Sequence, residues 1–314
     1  MLDPQAAQLL EARAAMNLKP FAAMTTADEA REALAARMLV TDLPIHSVQD
    51  ERVPGPAGDI PVRIFTPTDE EPLPAVVYIH GGGFAVGSVD TYDAVCRRLA
   101  NAVGCIVVSV DYRLAPEHKF PAGLEDAYAA ATWVIANGAA WGIDTGRVAV
   151  AGDSAGGNLA TVVCQLARDR GDPTFVLQLL IYPNVDHEFE RPSMIEFGQG
   201  YTISVDDMHW FWSHYVDGPS DLENPYVVPM RAKSLSGLPP AHIVSAGYDF
   251  LRDENEDYGR KLADDGVRVT ITRYPGMVHG FFSMGGMLDE ADVALAEVSD
   301  ALRRAFRAPA APVG

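Results

Sequence analysis

The chain has 314 residues, enough for one large domain or two small ones, and 48% of them are hydrophobic, which is ordinary for a globular protein. Its formal net charge at pH 7 is −19. A chain this acidic is a poor candidate for binding nucleic acid, and for binding an anionic substrate unless a local basic pocket exists.

Cysteine usage and the N-terminus indicate the compartment. Cys96, Cys105 and Cys164 are odd in number and lack C-x-x-C spacing, so we expect buried free thiols in a reducing environment. The first residues, MLDPQAAQLLEARAAM, have no long apolar core, so no secretory signal is predicted. The longest apolar stretch, FVLQLLIYP, falls short of the ~20 residues that a membrane span needs. We expect a soluble, cytoplasmic protein without stable membrane association.

In chain order, residues 1–45 are predicted to be helical, and Thr26 with Glu29 predicts a capping box at one helix start. From about residue 60, short apolar runs alternate with segments of helical spacing. The apolar runs are PVRIF, AVVYIH, CIVVSVDY, RVAVAGD, VLQLLIY, AHIVSAGYD and VRVTITRYPG. This alternation predicts an α/β fold with a mostly parallel central sheet and helices on both faces.

One segment interrupts the alternation. Residues 187–230 are rich in aromatic side chains and too long for a plain loop, which predicts a helical cap packed with the N-terminal helices. The predicted division is an N-terminal part of the cap (1–45), a first part of the catalytic core (46–186), the cap insertion (187–230), a second part of the core (231–308) and a disordered tail (309–314).

The sequence Gly152-Asp153-Ser154-Ala155-Gly156 fits the pattern G-x-S-x-G. It lies between an apolar strand and a predicted helix, where a sharp turn would lift the serine hydroxyl above the strand ends. A phosphate-binding loop would need a lysine here, and a dinucleotide loop would need G-x-G-x-x-G. Ser154 is therefore the predicted nucleophile, whereas Asp153 is expected to point away from it and to take no part in catalysis.

A serine nucleophile needs a base, normally histidine, and a carboxylate that orients the base. Asp249 ends one predicted strand and His279 follows another, in the chain order Ser, Asp, His that is typical of α/β-hydrolases. The rival acids, Asp253 and Glu254, fall in the following helical segment. The rival bases precede Asp249 and so break that order; they are His187, His209 and His214.

The stretch His80-Gly81-Gly82-Gly83 follows a predicted strand and suits an oxyanion hole. Acyl transfer builds negative charge on the carbonyl oxygen, and backbone N–H groups aimed at that oxygen stabilise it. The predicted donors are Gly82, Gly83 and Ala155. Aromatic candidates for the substrate pocket, each equally explained by packing within the cap, are Phe84, Trp210, Phe211 and Trp212.

These motifs resemble the hormone-sensitive lipase family of bacterial esterases. The matching stretches are HGGG at 80–83, DYRLAPE at 111–117, GDSAGG at 152–157, DFLRDE at 249–254 (DPLRDE in the family) and the HGF that contains His279. The resemblance implies the α/β-hydrolase fold, the triad Ser154, Asp249 and His279, and a cap over the site. It further implies a serine esterase for short- to medium-chain esters of small molecules that needs no metal or cofactor.

Two alternatives stay open. The same triad could serve an amidase, or a deacetylase of acetylated sugars. The same fold serves as a non-catalytic small-molecule receptor in plant gibberellin receptors, but these lack the histidine found here as His279.

Asp111, Arg113 and Glu117 are predicted to form an ion-pair and turn network and not an acid–base set. The sequence leaves the oligomeric state open, a homodimer included.

Overall fold

The structure is a computed structural model that describes residues 1–37 and 43–308. Within this part of the chain, eight strands form one sheet. The strands are β1 (Ser47–Gly55), β2 (Gly58–Thr66), β3 (Leu73–Ile79), β4 (Ile106–Val110), β5 (Ile143–Asp153), β6 (Gln178–Ile181), β7 (Ala241–Tyr248) and β8 (Val269–Val278). Their spatial order is β1-β2-β4-β3-β5-β6-β7-β8; the pairs β1–β2 and β2–β4 are antiparallel, and the other pairs are parallel. The predicted mostly parallel sheet is confirmed.

Helices cover both faces of this sheet, as predicted. They are α1 (Pro4–Ala15), α2 (Ala27–Ala35), α3 (Asp93–Val103), α4 (Ala122–Asn137), α5 (Ala155–Arg170), α6 (Pro192–Phe197), α7 (Val205–Tyr215), α8 (Arg252–Asp264) and α9 (Asp289–Arg307). Alternate side chains of β3 enter opposite cores: Val77 joins the cluster with α4, α5 and α8, and Val76 joins the cluster with α3 and α9. A strand buried on both faces is apolar throughout, which is why it stands out in the sequence.

Strand β1 is absent from the predicted strands. It pairs with β2 along its whole length, from Ser47 opposite Thr66 to Gly55 opposite Gly58. It is an edge strand of the sheet, and most of its residues are exposed. The apolar run that marks the inner strands is therefore missing from it.

The N-terminal segment and the aromatic insertion pack against each other. The rings of Phe21 and Phe211 lie 5.2 Å apart, and the Ala22 N–H donates a 2.8 Å hydrogen bond to Asp207 of α7. Residues 187–230 contain α6, α7 and a short 3₁₀ turn at Asp221–Glu223, and a second 3₁₀ turn, Pro229–Arg231, begins at their end. The predicted tail at 309–314 and the end of the predicted N-terminal cap segment, at 38–42, lie outside the described residues.

The predicted capping box at α2 is only half formed. The Thr26 hydroxyl accepts a hydrogen bond from the Glu29 N–H at 3.2 Å. The Glu29 carboxylate accepts from the N–H of Thr25 at 2.9 Å instead of from that of Thr26. The helix start is nevertheless the predicted one, because Thr26 is the residue that caps it.

The predicted state of the thiols is confirmed. Cys96, Cys105 and Cys164 are buried, and none of them forms a disulfide. Across residues 1–37 and 43–308, no helix combines the length and the apolar character that crossing a bilayer requires.

Candidate active site

Ser154 occupies the turn between β5 and α5, at the carboxyl edge of the sheet. Its backbone has φ 54° and ψ −121°, a conformation that is strained for any residue but glycine. A Cβ on Gly156 would lie 2.0 Å from the Ile79 carbonyl oxygen, and one on Gly152 would lie 2.3 Å from the Gly156 carbonyl oxygen. The two glycines therefore allow the close approach of strand and helix that holds the serine in this turn.

The three residues of the predicted triad meet above the strand ends. His279 Nε2 lies 3.1 Å from Ser154 Oγ, and His279 Nδ1 lies 2.8 Å from Asp249 Oδ2. Asp249 is 1% exposed, and its other oxygen accepts a 2.9 Å hydrogen bond from the Leu251 N–H. The imidazole is thus oriented by a fixed carboxylate and is within proton-transfer distance of the serine.

The surroundings of His279 act on its pKa in two opposite directions. Burial disfavours the charged ring and lowers the pKa. The Asp249 carboxylate, with a smaller effect from Asp153, outweighs burial and holds the pKa above its ordinary value. The rings of Tyr182 and Phe250, centred 4.8 and 6.0 Å from the imidazole, enclose it.

Three backbone N–H groups beside Ser154 are free to donate a hydrogen bond. Those of Gly82, Gly83 and Ala155 make no hydrogen bond within residues 1–37 and 43–308. Gly82 and Gly83 have φ values of 114° and 56°, which glycine adopts without steric cost. Ala155 opens helix α5, whose N-terminal dipole favours negative charge. Such unpaired donors can stabilise an oxyanion.

Asp153 has a structural role that the sequence did not reveal. It is buried, and its carboxylate accepts hydrogen bonds from Tyr78 Oη (2.9 Å), the Gly81 N–H (3.0 Å) and Tyr92 Oη (3.0 Å). It therefore links the nucleophile turn to the glycine loop. A buried acid beside the nucleophile signals that donors must surround it, but only the fold shows which groups donate.

The rival acids are engaged elsewhere. The Asp253 carboxylate accepts from the Ser193 N–H at 2.9 Å. Glu254 is buried, and its Oε1 accepts from Asn184 Nδ2 at 3.1 Å and from the Val185 N–H at 2.7 Å. Neither carboxylate is hydrogen-bonded to His279 within the described ranges. Asp249 is the acid that the geometry selects.

The rival histidines belong to the cap. The ring of His209 stacks on Phe189 at 4.1 Å, and that of His214 lies 4.0 Å from Trp210. His187 packs edge-on against Trp212 at 5.1 Å. None of the three is hydrogen-bonded to Ser154 in residues 1–37 and 43–308.

Two cavities adjoin Ser154. The larger, about 170 Å³, is lined by both Ser154 and His279. The smaller, about 10 Å³, contacts Ser154 but not His279. Its walls are Gly83, Phe84, Ala155, Asn184, Ile203, Met208, Phe211 and Trp212. Of the four aromatic candidates, Phe84 and Trp212 line the smaller cavity and Phe211 lines both, whereas Trp210 lines neither.

The residues of the DYRLAPE stretch do not form one network. Arg113 pairs with Asp126 of α4 at 2.7 Å, and Glu117 pairs with Arg31 of α2 at 2.6 Å. Asp111 instead accepts from a backbone N–H in the loop before α3. The expected role in ion pairs and turn contacts is therefore confirmed, and each side chain connects this loop to a different element.

Proteins of known sequence and structure resemble this chain over most of its length. A model of the alpha/beta hydrolase fold matches residues 76–283. The carboxylic ester hydrolase LipN of Mycobacterium tuberculosis is 46% identical, over 76% of this chain and 66% of that protein. The carboxylesterase NlhH of the same organism is 41% identical, over 93% of this chain and 95% of its own length.

Among solved structures, the hyperthermophilic esterase from the archaeon Pyrobaculum calidifontis superposes with a TM-score of 0.92 at 45% identity, covering 96% of this chain and 98% of that one. The fold and the geometry around Ser154 are those of an α/β-hydrolase. The chain belongs to that family, and its resemblance to the bacterial esterases of the hormone-sensitive lipase family is confirmed.

Proposed function

We propose that this protein is a carboxylic ester hydrolase in which Ser154, His279 and Asp249 form a catalytic triad. The observation that carries the proposal is the continuous chain of contacts from Ser154 Oγ through the imidazole to Asp249, at 3.1 and 2.8 Å. The esterase names of the relatives support the same reaction.

The geometry suits an acyl-enzyme mechanism. Neutral His279 takes the proton of Ser154 as its oxygen attacks the ester carbonyl, and Asp249 stabilises the resulting imidazolium. The N–H groups of Gly82, Gly83 and Ala155 donate to the oxyanion. A single such donor typically lowers the activation barrier by about 3 kcal/mol. His279 then gives the proton to the leaving alcohol. Water, activated in the same way, hydrolyses the acyl-enzyme and restores the serine.

The position of His279 distinguishes the two cavities. The leaving oxygen must reach His279 to be protonated, so the alcohol part of the ester occupies the larger cavity, which His279 lines. The acyl part is left with the smaller cavity. At about 10 Å³, this cavity has room for about one water-sized group. We therefore propose acyl groups at the short end of the expected short- to medium-chain range.

We further infer that residues 1–45 and 187–230 act as a cap over a core formed by 46–186 and 231–308. Phe21 and Phe211, one from each cap segment, both line the larger cavity beside Ser154. The three buried free thiols support a cytoplasmic localisation, because free thiols are typical of reducing compartments.

Replacement of the nucleophile tests the function. Ser154→Ala should lower kcat/KM for nitrophenyl acetate by about a thousandfold or more, because no attacking oxygen remains. Ser236→Ala, at an exposed serine, is the matched control. An activated organophosphonate should transfer its phosphonyl group to Ser154 with loss of its leaving group, which adds the mass of the phosphonyl group to the parent protein and not to Ser154→Ala. Turnover by the alanine variant close to that of the parent would contradict the triad.

An acyl anilide and acetyl-xylan, measured beside the aryl acetate, separate the alternatives. An ester hydrolase should prefer the aryl acetate, whereas faster turnover of the anilide or of the acetylated sugar would identify an amidase or a deacetylase. Binding of the ester without turnover would identify a receptor.

A further inference from the structure

The alcohol-side cavity carries two positive charges on its cap side. Arg13 of α1 and Arg37, which follows α2, both line it together with Ser154. Arg13 donates a 3.1 Å hydrogen bond to the Thr202 carbonyl, and Arg37 donates one of 2.8 Å to the Lys19 carbonyl. Both acceptors are neutral, so the two hydrogen bonds place the guanidinium groups without neutralising their charge.

No carboxylate pairs with either arginine in residues 1–37 and 43–308, although the chain has 43 acidic residues. Asp207 is the acid whose charge acts on Arg37. Its Oδ1 already accepts from the Ala22 N–H at 2.8 Å, and its Oδ2 accepts from the Ser204 N–H at 3.0 Å. Asp207 therefore serves as a helix cap. The Arg37 guanidinium also lies over the Phe21 ring at 5.0 Å, a contact that leaves its positive charge unpaired with any acid, so both guanidinium charges remain available to a ligand.

The surroundings of both arginines disfavour their charge. Burial lowers the pKa of Arg13, and the nearby charge of Arg37 lowers it further. Burial also lowers the pKa of Arg37, against a weaker opposing effect of Asp207. A negative group bound between the two guanidinium groups would remove their mutual repulsion and replace lost hydration.

The wall of the alcohol-side cavity is largely apolar. Its apolar residues include Leu9, Phe21, Leu34, Val86, Phe211 and Met284. Arg13 and Arg37 also line an adjoining groove with Lys19, so a charged group beside them could keep contact with solvent. The cavity thus suits an apolar body with an anionic end.

We propose that this enzyme takes esters whose alcohol part carries an anionic group, held by Arg13 and Arg37 while the ester carbonyl lies at Ser154. The inference rests on the proposed function, because the alcohol side is defined by proton transfer from His279. A net charge of −19 opposes anionic substrates over the rest of the molecule, and this pair of arginines is the local basic pocket that would overcome it.

Matched aryl acetates test the proposal on the parent enzyme. 4-Acetoxybenzoate and 3-(4-acetoxyphenyl)propanoate are compared with their neutral primary amides, each rate being divided by the rate of hydroxide hydrolysis. We expect kcat/KM to favour a carboxylate over its amide by about tenfold or more, mainly through KM, and the preference to fall with added salt. Equal or better turnover of both amides would overturn the proposal.

A further pair of substrates carries a phosphonate or a sulfonate in place of the carboxylate. If these are preferred more strongly than the carboxylates, the natural alcohol carries a phosphate or sulfate group. If they are preferred less strongly, it carries a carboxylic acid. If none of the acetates is hydrolysed, neutral ones included, the proposed ester hydrolase fails. If only the neutral ones are hydrolysed well, the anion preference alone fails.

Variants tie the preference to the two side chains. Arg13→Met with Arg37→Met removes both charges and keeps apolar length, and should abolish the preference, so that each carboxylate and its amide show similar kcat/KM. Arg52→Met is the control, because Arg52 is exposed on β1 at the far edge of the sheet. Turnover of the amides and the unfolding temperature report on folding. A double variant that keeps the preference would contradict the assignment.

Discussion

The carboxylate of Asp153 accepts a 3.0 Å hydrogen bond from the backbone N–H of Gly81. This contact joins the turn that carries the proposed nucleophile to the glycine loop that supplies two of the proposed oxyanion donors. One buried side chain thereby sets the distance between the attacking atom and the groups that stabilise the charge it creates. Its phenolic partners, Tyr78 and Tyr92, hold the carboxylate in place.

Asp153→Asn should weaken catalysis without removing it. The amide oxygen can accept only part of the three hydrogen bonds, so the glycine loop shifts and kcat falls about ten- to a hundredfold with KM little changed. The lost charge no longer supports the imidazolium, so the acid limb of kcat/KM moves to lower pH, which a merely structural role would not cause. Asp59→Asn, at an exposed site on β2, is the control. An unmoved acid limb would argue against the role.

The pH dependence of the parent enzyme should report the environment of His279. Only the neutral imidazole can accept the serine proton, and the nearby carboxylates hold its pKa above the ordinary 6.5. As pH rises, kcat/KM for a neutral aryl acetate should therefore increase with a midpoint above 6.5. A midpoint clearly below that value would show that burial, and not Asp249, dominates.

The length of the acyl chain should strongly affect the rate of ester hydrolysis. Nitrophenyl acetate and propionate should be turned over well and hexanoate poorly, because the acyl-side cavity is about 10 Å³. Trp212→Ala should raise the ratio of hexanoate to acetate turnover about tenfold, since Trp212 lines this cavity. Trp210→Ala, on the same helix but outside both cavities, should leave the ratio unchanged. Identical ratios in the two variants would remove Trp212 from the acyl site.

Glu254 should make the fold sensitive to alkaline pH. Burial raises the pKa of Glu254 from about 4.5 to about 8 in the folded chain. The contribution of Glu254 to stability is therefore full below its pKa in the unfolded chain, and it is lost as the pH rises through 8. Glu254→Gln keeps an acceptor oxygen and does not titrate. Its unfolding free energy in urea, relative to the parent, should therefore increase between pH 6 and pH 9. Glu125→Gln, at an exposed glutamate, should show no such change.

The inner strands and the candidate triad could be read from the sequence for definite reasons. Strands β3 to β7 follow the predicted apolar runs, because burial in a sheet covered on both faces demands apolar residues. Ser154, Asp249 and His279 each come directly after a strand, and the ends of parallel strands meet at one edge. The exposed strand β1 carries no such signal.

By itself, the sequence determined the class of fold, the family and the residues that meet at Ser154, because each depends on burial or on chain order. Only the tertiary structure decided which of the two tryptophans of α7, Trp210 and Trp212, lines a cavity. The way in which α7 packs against the rest of the protein determines the direction in which each side chain points. It also decided that Asp153 binds the Gly81 loop, and that Arg13 and Arg37 share the cavity of Ser154. Such contacts join residues far apart in the chain, and local patterns of sequence do not predict them.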